Sequence, residues 1–137
     1  PVQKGKMVTN KKGKPSSTDY EVLEEFGLYS LVKLQIHTGR THQIRVHMKS
    51  LGHPIAVDEL YGSSEPVKLS TIKKKFRLGK YTEEERPLLS RLALHAFMLN
   101  FKGMDGKDYS IEAPLPKDMS ALLTQLRKHR GKQPVSE

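Results

Sequence analysis

Two stretches of alternating hydrophobicity on either side of one glycine, followed by a run with helical spacing, constrain the fold of this chain more than any other feature. Residues 17–26 carry Thr18, Tyr20 and Val22 at every second position, and residues 28–37, beyond Gly27, place Val32, Leu34 and Ile36 on one face. Successive side chains of a strand point to opposite faces, so period two on both sides of a turn predicts an antiparallel hairpin. The second run ends in His37-Thr38-Gly39-Arg40, after which Ile44, Met48 and Leu51 recur at i, i+4 and i+7. That spacing predicts a short helix from Thr41 to Leu51, with Thr41 as N-cap and Gly52 and Pro54 ending it. His42, Arg45 and Lys49, at i, i+3 and i+7, form a basic stripe about a quarter-turn from the apolar one.

The rest of the chain adds strands and one more helix. Residues 92–101 are apolar on both alternate sets, which predicts a central strand covered on two faces. Gly103-Met104-Asp105-Gly106 is a turn into a hairpin partner, Lys107–Ala113. After Pro114–Pro116, Met119, Leu122, Leu123 and Leu126 form the apolar face of a terminal helix stopped at Gly131. The expected fold class is therefore α+β: a mixed, mainly antiparallel sheet with flanking short helices. One domain spans residues 1–137, with a basic arm at 1–15 and a charged loop or insertion at 63–90.

Charge bears on partners rather than on the fold. The 137 residues carry 24 Lys and Arg against 15 Asp and Glu, a net charge of +9. Such an excess points to a polyanion, nucleic acid first. The arm holds five lysines and no acid, and it reads as extended or poorly ordered. Within the charged loop, Lys68, Lys73, Lys74, Lys75, Arg77, Lys80 and Arg86 face Glu83, Glu84 and Glu85, so phosphate contact and simple solubility both stand as readings. The closing Arg127–Lys132 run ends a helix, where cations favour the dipole. No cysteine is present, which excludes disulfides, thiol nucleophiles and Cys-ligated zinc. The apolar runs are too short to span a membrane, so no membrane association is expected and a cytoplasmic location is.

The densest polar cluster is Thr38–His47, where a strand hands over to a helix. A glycine turn, a helix N-terminus and two arginines make an anion site by physics alone. The alternative is that Thr41 caps, Gly39 turns, and Arg40 and Arg45 are solvated. His37, His42, His47 and His53 recur at spacings unsuited to ligands on one helix, so no metal is expected. No G-x-S-x-G elbow is present. Asp58, Asp105, Asp108 and Asp118 stand at turns or helix starts, where aspartate serves conformation.

The string Thr38-Gly-Arg-Thr-His-Gln-Ile-Arg-Val-His47, with Gly52-His-Pro-Ile-Ala-Val-Asp58 and Leu60-Tyr-Gly62 after it, closely resembles the RluA-like family of RNA pseudouridine synthases. Arg91-Leu-Ala-Leu-His-Ala96 and Glu112-Ala-Pro-Leu-Pro116 are similar to that family's later blocks, in the same order, and Lys12-Lys-Gly-Lys14 and Tyr20-Glu-Val-Leu23 fit its approach strand. The resemblance covers essentially the whole chain. Three departures stand out. Val57 occupies a position where the family usually has glycine; residues 62–91 are longer than expected; and the Arg-Leu-Asp motif that carries the family's catalytic aspartate does not occur, nor does the block with its base-stacking tyrosine.

The resemblance implies the C-terminal half of a pseudouridine synthase catalytic fold, lacking its nucleophile. It implies isomerisation of uridine in structured RNA, ribosomal before transfer RNA, by breaking the C1′–N1 bond and rejoining the base through C5 without a cofactor. Arg45 matches the arginine that pairs with the catalytic aspartate, a role suited to a bidentate guanidinium. Asp58 belongs to another motif and does not replace that aspartate. Leu89 matches an apolar residue of the base pocket, with a core position as the alternative. Arg40, Thr41, His42, Lys49, Lys73, Lys74, Lys75 and Arg77 are candidate RNA contacts. The expected partners are RNA and the missing N-terminal half of the same enzyme, and the isolated chain is expected to be inactive and able to self-associate through an open sheet edge. A non-catalytic RNA-binding module and a basic interaction domain are the other classes.

Overall fold

The computed structural model describes residues 4–11, 14–37, 42–73 and 86–130. The expected turn at Gly39, the cap at Thr41, the stop at Gly131 and the candidate contacts Arg40, Thr41, Lys74, Lys75 and Arg77 lie outside them.

Three antiparallel strands, β1 (Lys4–Lys11), β2 (Lys14–Glu25) and β3 (Ser30–Ile36), form a sheet in the order β1-β2-β3. The β2–β3 hairpin is the predicted one, turning at Gly27 with φ 84°, a left-handed conformation open to glycine. Thr18, Tyr20 and Val22 pair with Ile36, Leu34 and Val32, so the two alternating sets share a face. A β-bulge between Val22 and Glu24 shifts the register, and Glu24 pairs with Leu31.

Of the two readings of the basic arm, the extended one holds for residues 4–11, which are an edge strand. Its lysine and glycine content resembles that of a disordered segment, yet each residue finds a cross-strand partner in β2. Lys6 stands opposite Asp19, with 3.7 Å between Nζ and Oδ1. Gly5 lies beneath the Tyr20 ring, where a Cβ would come within 2.9 Å of the hydroxyl. Lysines on the edge also discourage pairing with further chains.

Helix α1 (Gln43–Ser50) follows β3, and a short helix, α2 (Leu69–Ile72), follows the next loop. The 63–90 segment is therefore more than a charged loop. Val67, Ile72 and Leu89 in it are buried, Val67 bridges to Leu89, and the basic run of its middle lies outside the described residues. A second pair of antiparallel strands, β4 (Met98–Lys102) and β5 (Asp108–Glu112), forms a separate ribbon. Among the described residues all pairing is antiparallel, so the expected mixture of directions is absent there.

The central strand expected at residues 92–101 is also corrected. Residues 92–97 are irregular, with Ala93 N–H donating to the Ala56 carbonyl, and every residue of β4 and β5 is exposed. Leu99, Phe101, Tyr109 and Ile111 pair into one apolar face. The two-sided pattern reads as burial, but a two-stranded ribbon has no layer to supply it.

Helix α3 (Lys117–His129) is the predicted terminal helix. Leu122, Leu123 and Leu126 pack with Phe26, Val67, Ile72 and Leu89 into the core, and Met119 packs at its margin. Arg91 clamps the first turn through Asp118, at 2.7 and 2.8 Å. Arg127 clamps the last turn through the Glu24 carboxylate, with contacts of 2.9–3.2 Å.

Candidate functional site

Helix α1 is bolted to the sheet by polar side chains. Gln43 Nε2 donates to the Ser17 carbonyl at 2.7 Å and to Thr18 Oγ1 at 2.9 Å, and His47 Nδ1 lies 2.8 Å from the same oxygen. Thr18 and His47 are 0% and 1% exposed. The hydroxyl accepts from Gln43 and donates to Nδ1, an arrangement that suits a neutral imidazole. Burial lowers the His47 pKa in the same direction. The buried face of α1 is thus Gln43, His47 and Met48, rather than the expected stripe of Ile44, Met48 and Leu51, whose last member is exposed. Hydrogen bonds to a threonine on β2 turn the helix away from the orientation that its apolar residues alone suggest.

That rotation points Arg45 at the loop after the helix. Its Nε and Nη2 donate to the two carboxylate oxygens of Asp58 at 3.0 and 2.6 Å. The Asp58 side chain is fully buried, and its Oδ1 also accepts the backbone N–H groups of Leu60 at 3.2 Å and Tyr61 at 3.1 Å. The Arg45 guanidinium and these backbone donors hold the Asp58 carboxyl below the usual carboxylate range, and Asp58 in turn raises the Arg45 pKa. This corrects the reading of Asp58 as a turn residue alone. It shapes the turn and fills one edge of the arginine fork within the chain. The end-on edge, formed by Nη1 and the second Nη2 hydrogen, meets no carboxylate among the described residues.

Tight backbone holds the loop in place. Gly62 N–H donates to the Asp58 carbonyl at 2.7 Å, and a Cβ at Gly62 would come within 2.9 Å of Pro54 Cβ. Val57, immediately before Asp58, has φ 58°. A left-handed conformation explains why glycine suits this position, and here a β-branched residue takes it with strain. His42 is the other non-glycine residue at positive φ among the described residues, at 57°, and it precedes α1 without capping it.

The basic stripe itself gathers on Tyr61. The Arg45 guanidinium carbon is 5.3 Å from the ring centroid, and Lys49 Nζ is 5.9 Å from it. Lys73 ends α2, away in sequence beside His129 of α3. Leu89 is 1% exposed: it bridges to Val67 and packs in the core with the leucines of α3. The histidines serve different partners: His37 meets Asp19 at 2.6 Å, His42 meets Tyr61, and His47 meets Thr18. Sequence reasoning gave Thr18, Gln43, His47 and Tyr61 no role in the site. The i, i+4 placement of Gln43 and His47 was the available signal for the buried anchor.

The sequence profile described as RNA pseudouridylate synthase matches residues 2–50, from β1 through α1. An uncharacterized RNA pseudouridine synthase of Chlorobaculum parvum is 45% identical over 116 residues, 84% of this chain and 34% of that protein. The ribosomal large subunit pseudouridine synthase D of Nitrosomonas europaea is 39% identical over 128 residues, 93% of this chain and 34% of that protein. Among solved structures, human RNA pseudouridylate synthase domain containing 4 superposes with a TM-score of 0.60 at 28% identity, over 91% of this chain and 57% of that one. The fold is thus that of an RNA pseudouridine synthase segment, and the chain belongs to the RluA-like family of these enzymes. It spans about a third of the length of the curated relatives it matches. Among the described residues, no helix is long and apolar enough to cross a membrane.

Proposed function

We propose that these residues are the C-terminal part of a catalytic domain that isomerises uridine to pseudouridine in structured RNA, with ribosomal RNA as the target. The observation that carries this reading is Arg45, whose guanidinium is fixed along one edge by Asp58 while its end-on edge stays open to a second carboxylate. The aspartate of an Arg-Leu-Asp motif, absent from this sequence, is the carboxylate that edge fits. A guanidinium held in this way keeps such an aspartate ionised and aimed at the sugar–base bond. Relatives named as ribosomal large subunit synthases support the choice of RNA.

In this reading the chain's partners are the N-terminal half of the enzyme and RNA, and it works in the cytoplasm. His42 and Lys49 lie on the exposed side of α1 and serve as phosphate contacts, as do Lys73 and, outside the described residues, Arg40, Thr41, Lys74, Lys75 and Arg77. The target base leaves its stack to be reached. Alone, the chain binds RNA without turning it over and self-associates through its open ribbon. Tritium release from C5-labelled ribosomal RNA tests this: the full-length enzyme releases tritium and the 137 residues do not. Release by the chain alone would place the nucleophile within it and overturn the proposal.

A further inference from the structure

The three residues of the α1 stripe have one thing in common besides their helix, the ring of Tyr61. Arg45 and Lys49 lie within reach of its centroid, and the His42 ring stands edge-on to it at 5.8 Å and 79°. His42 Nδ1 and the Tyr61 hydroxyl are 3.2 Å apart. Cations within about 6 Å of an aromatic centroid are drawn to the negative charge of its π-system. Two cations share one ring here because Asp58 neutralises the charge of Arg45, which limits its repulsion of Lys49.

The ring is itself fixed. Tyr61 N–H donates to Asp58 Oδ1, the same oxygen that accepts Arg45 Nη2. Asp58 therefore acts on Arg45 twice, directly through the fork and indirectly by setting where the ring sits. The two contacts restrict different motions. A side-on carboxylate fixes the guanidinium within its own plane, whereas a ring near that group limits its tilt. With both in place, the end-on edge points in one direction.

We propose that Tyr61 is a positioning residue for Arg45, fixing the tilt of the guanidinium that receives the catalytic carboxylate. The proposal rests on the role given to Arg45 above. Its test uses the full-length enzyme, with kcat and KM read by tritium release. Tyr61→Leu lowers kcat by about tenfold or more, because small misplacements of a reacting group cost that much. KM changes by less than about threefold, the pattern of an interaction used in the transition state. Tyr61→Phe keeps the ring and restores most of kcat.

Arg45→Ala, measured alongside, separates the two claims. Collapse of kcat in Arg45→Ala with wild-type kcat in Tyr61→Leu overturns the role of Tyr61 and leaves that of Arg45 standing. Full activity in Arg45→Ala overturns both. A lowered thermal midpoint in Tyr61→Leu with kcat per folded molecule unchanged marks a purely structural tyrosine and also overturns the proposal. If Tyr61→Leu does not fold, the wild-type chain supplies a second readout in its Arg45 Nε–H resonance. Slow exchange and a ring-current displacement are expected, and a random-coil position overturns the proposal.

Discussion

Two arginine–aspartate forks of nearly the same geometry sit in different surroundings. Arg45 grips Asp58 at 3.0 and 2.6 Å with the side chains 18% and 0% exposed; Arg91 grips Asp118 at 2.7 and 2.8 Å with 44% and 35% exposed. Water screens the second pair, and an exposed bridge of this kind contributes little to stability. The first is enclosed by the loop that it organises. There the carboxylate also takes two backbone donors, so its loss leaves several groups without partners at once. The same bond pattern thus acts as a fastener for α3 in one place and as the frame of a site in the other.

Removing one carboxylate from each pair tests this contrast most directly. Asp58→Ala should lower stability by about 3 kcal/mol in denaturant titrations, since it strands a largely enclosed guanidinium. Asp58→Asn should lose less, because an amide oxygen still accepts from the turn. A loss for Asp58→Ala no greater than that of a surface substitution would make the two forks equivalent.

Acid titration sharpens the comparison next. The His47 pKa is lowered in the fold, so the unfolded chain takes up that proton first and stability declines as pH falls below about 6.5. The Asp58 carboxyl is also lowered, and its contribution holds above about pH 3.9 and is lost as pH falls through its folded value. Melting curves across pH should show both declines, with His47→Gln reducing the upper one, to which His129, also lowered by burial and by Lys128 and Lys73, adds. Retention of the whole upper decline in that variant would assign it to another group.

The strained backbone beside Asp58 gives a smaller effect of unusual sign. At φ 58°, Val57→Gly should be more stable than Val57→Ala by about 1 kcal/mol, the opposite of the usual ranking. Equal melting temperatures would show the loop relaxing out of the left-handed region. Smallest of all, Asp118→Ala should shift the melting temperature no more than an ordinary surface change, and a loss as large as that of Asp58→Ala would erase the distinction between the forks.

Sequence reading reached the parts of this molecule that are encoded locally. The β2–β3 hairpin, the turn at Gly103–Gly106, the leucine face of α3 and the basic stripe of α1 all follow from periodicity and turn residues close in sequence. What it missed depends on distant partners. Thr18 meets His47 across 29 positions, and Arg45 meets Asp58 across 13. No local pattern shows that a glutamine and a histidine form the buried face of α1, or that a turn aspartate is also the seat of an arginine. That the arm is ordered could not be read locally for the same reason, since its pairing partners lie in β2. The ribbon failed in the opposite sense: its side chains are patterned for cover that the described residues do not bring.

The β-bulge between Val22 and Glu24 divides β2 into two working lengths. One ends in the Ser17–Thr18 seat of α1, and the other in the Glu24 anchor of α3. The two helices hang from one strand on either side of an interruption in its ladder, so fluctuations of one need not propagate to the other. Amide protection is therefore expected to fall into two cooperative units rather than one, with α3 opening while α1 stays seated on β2.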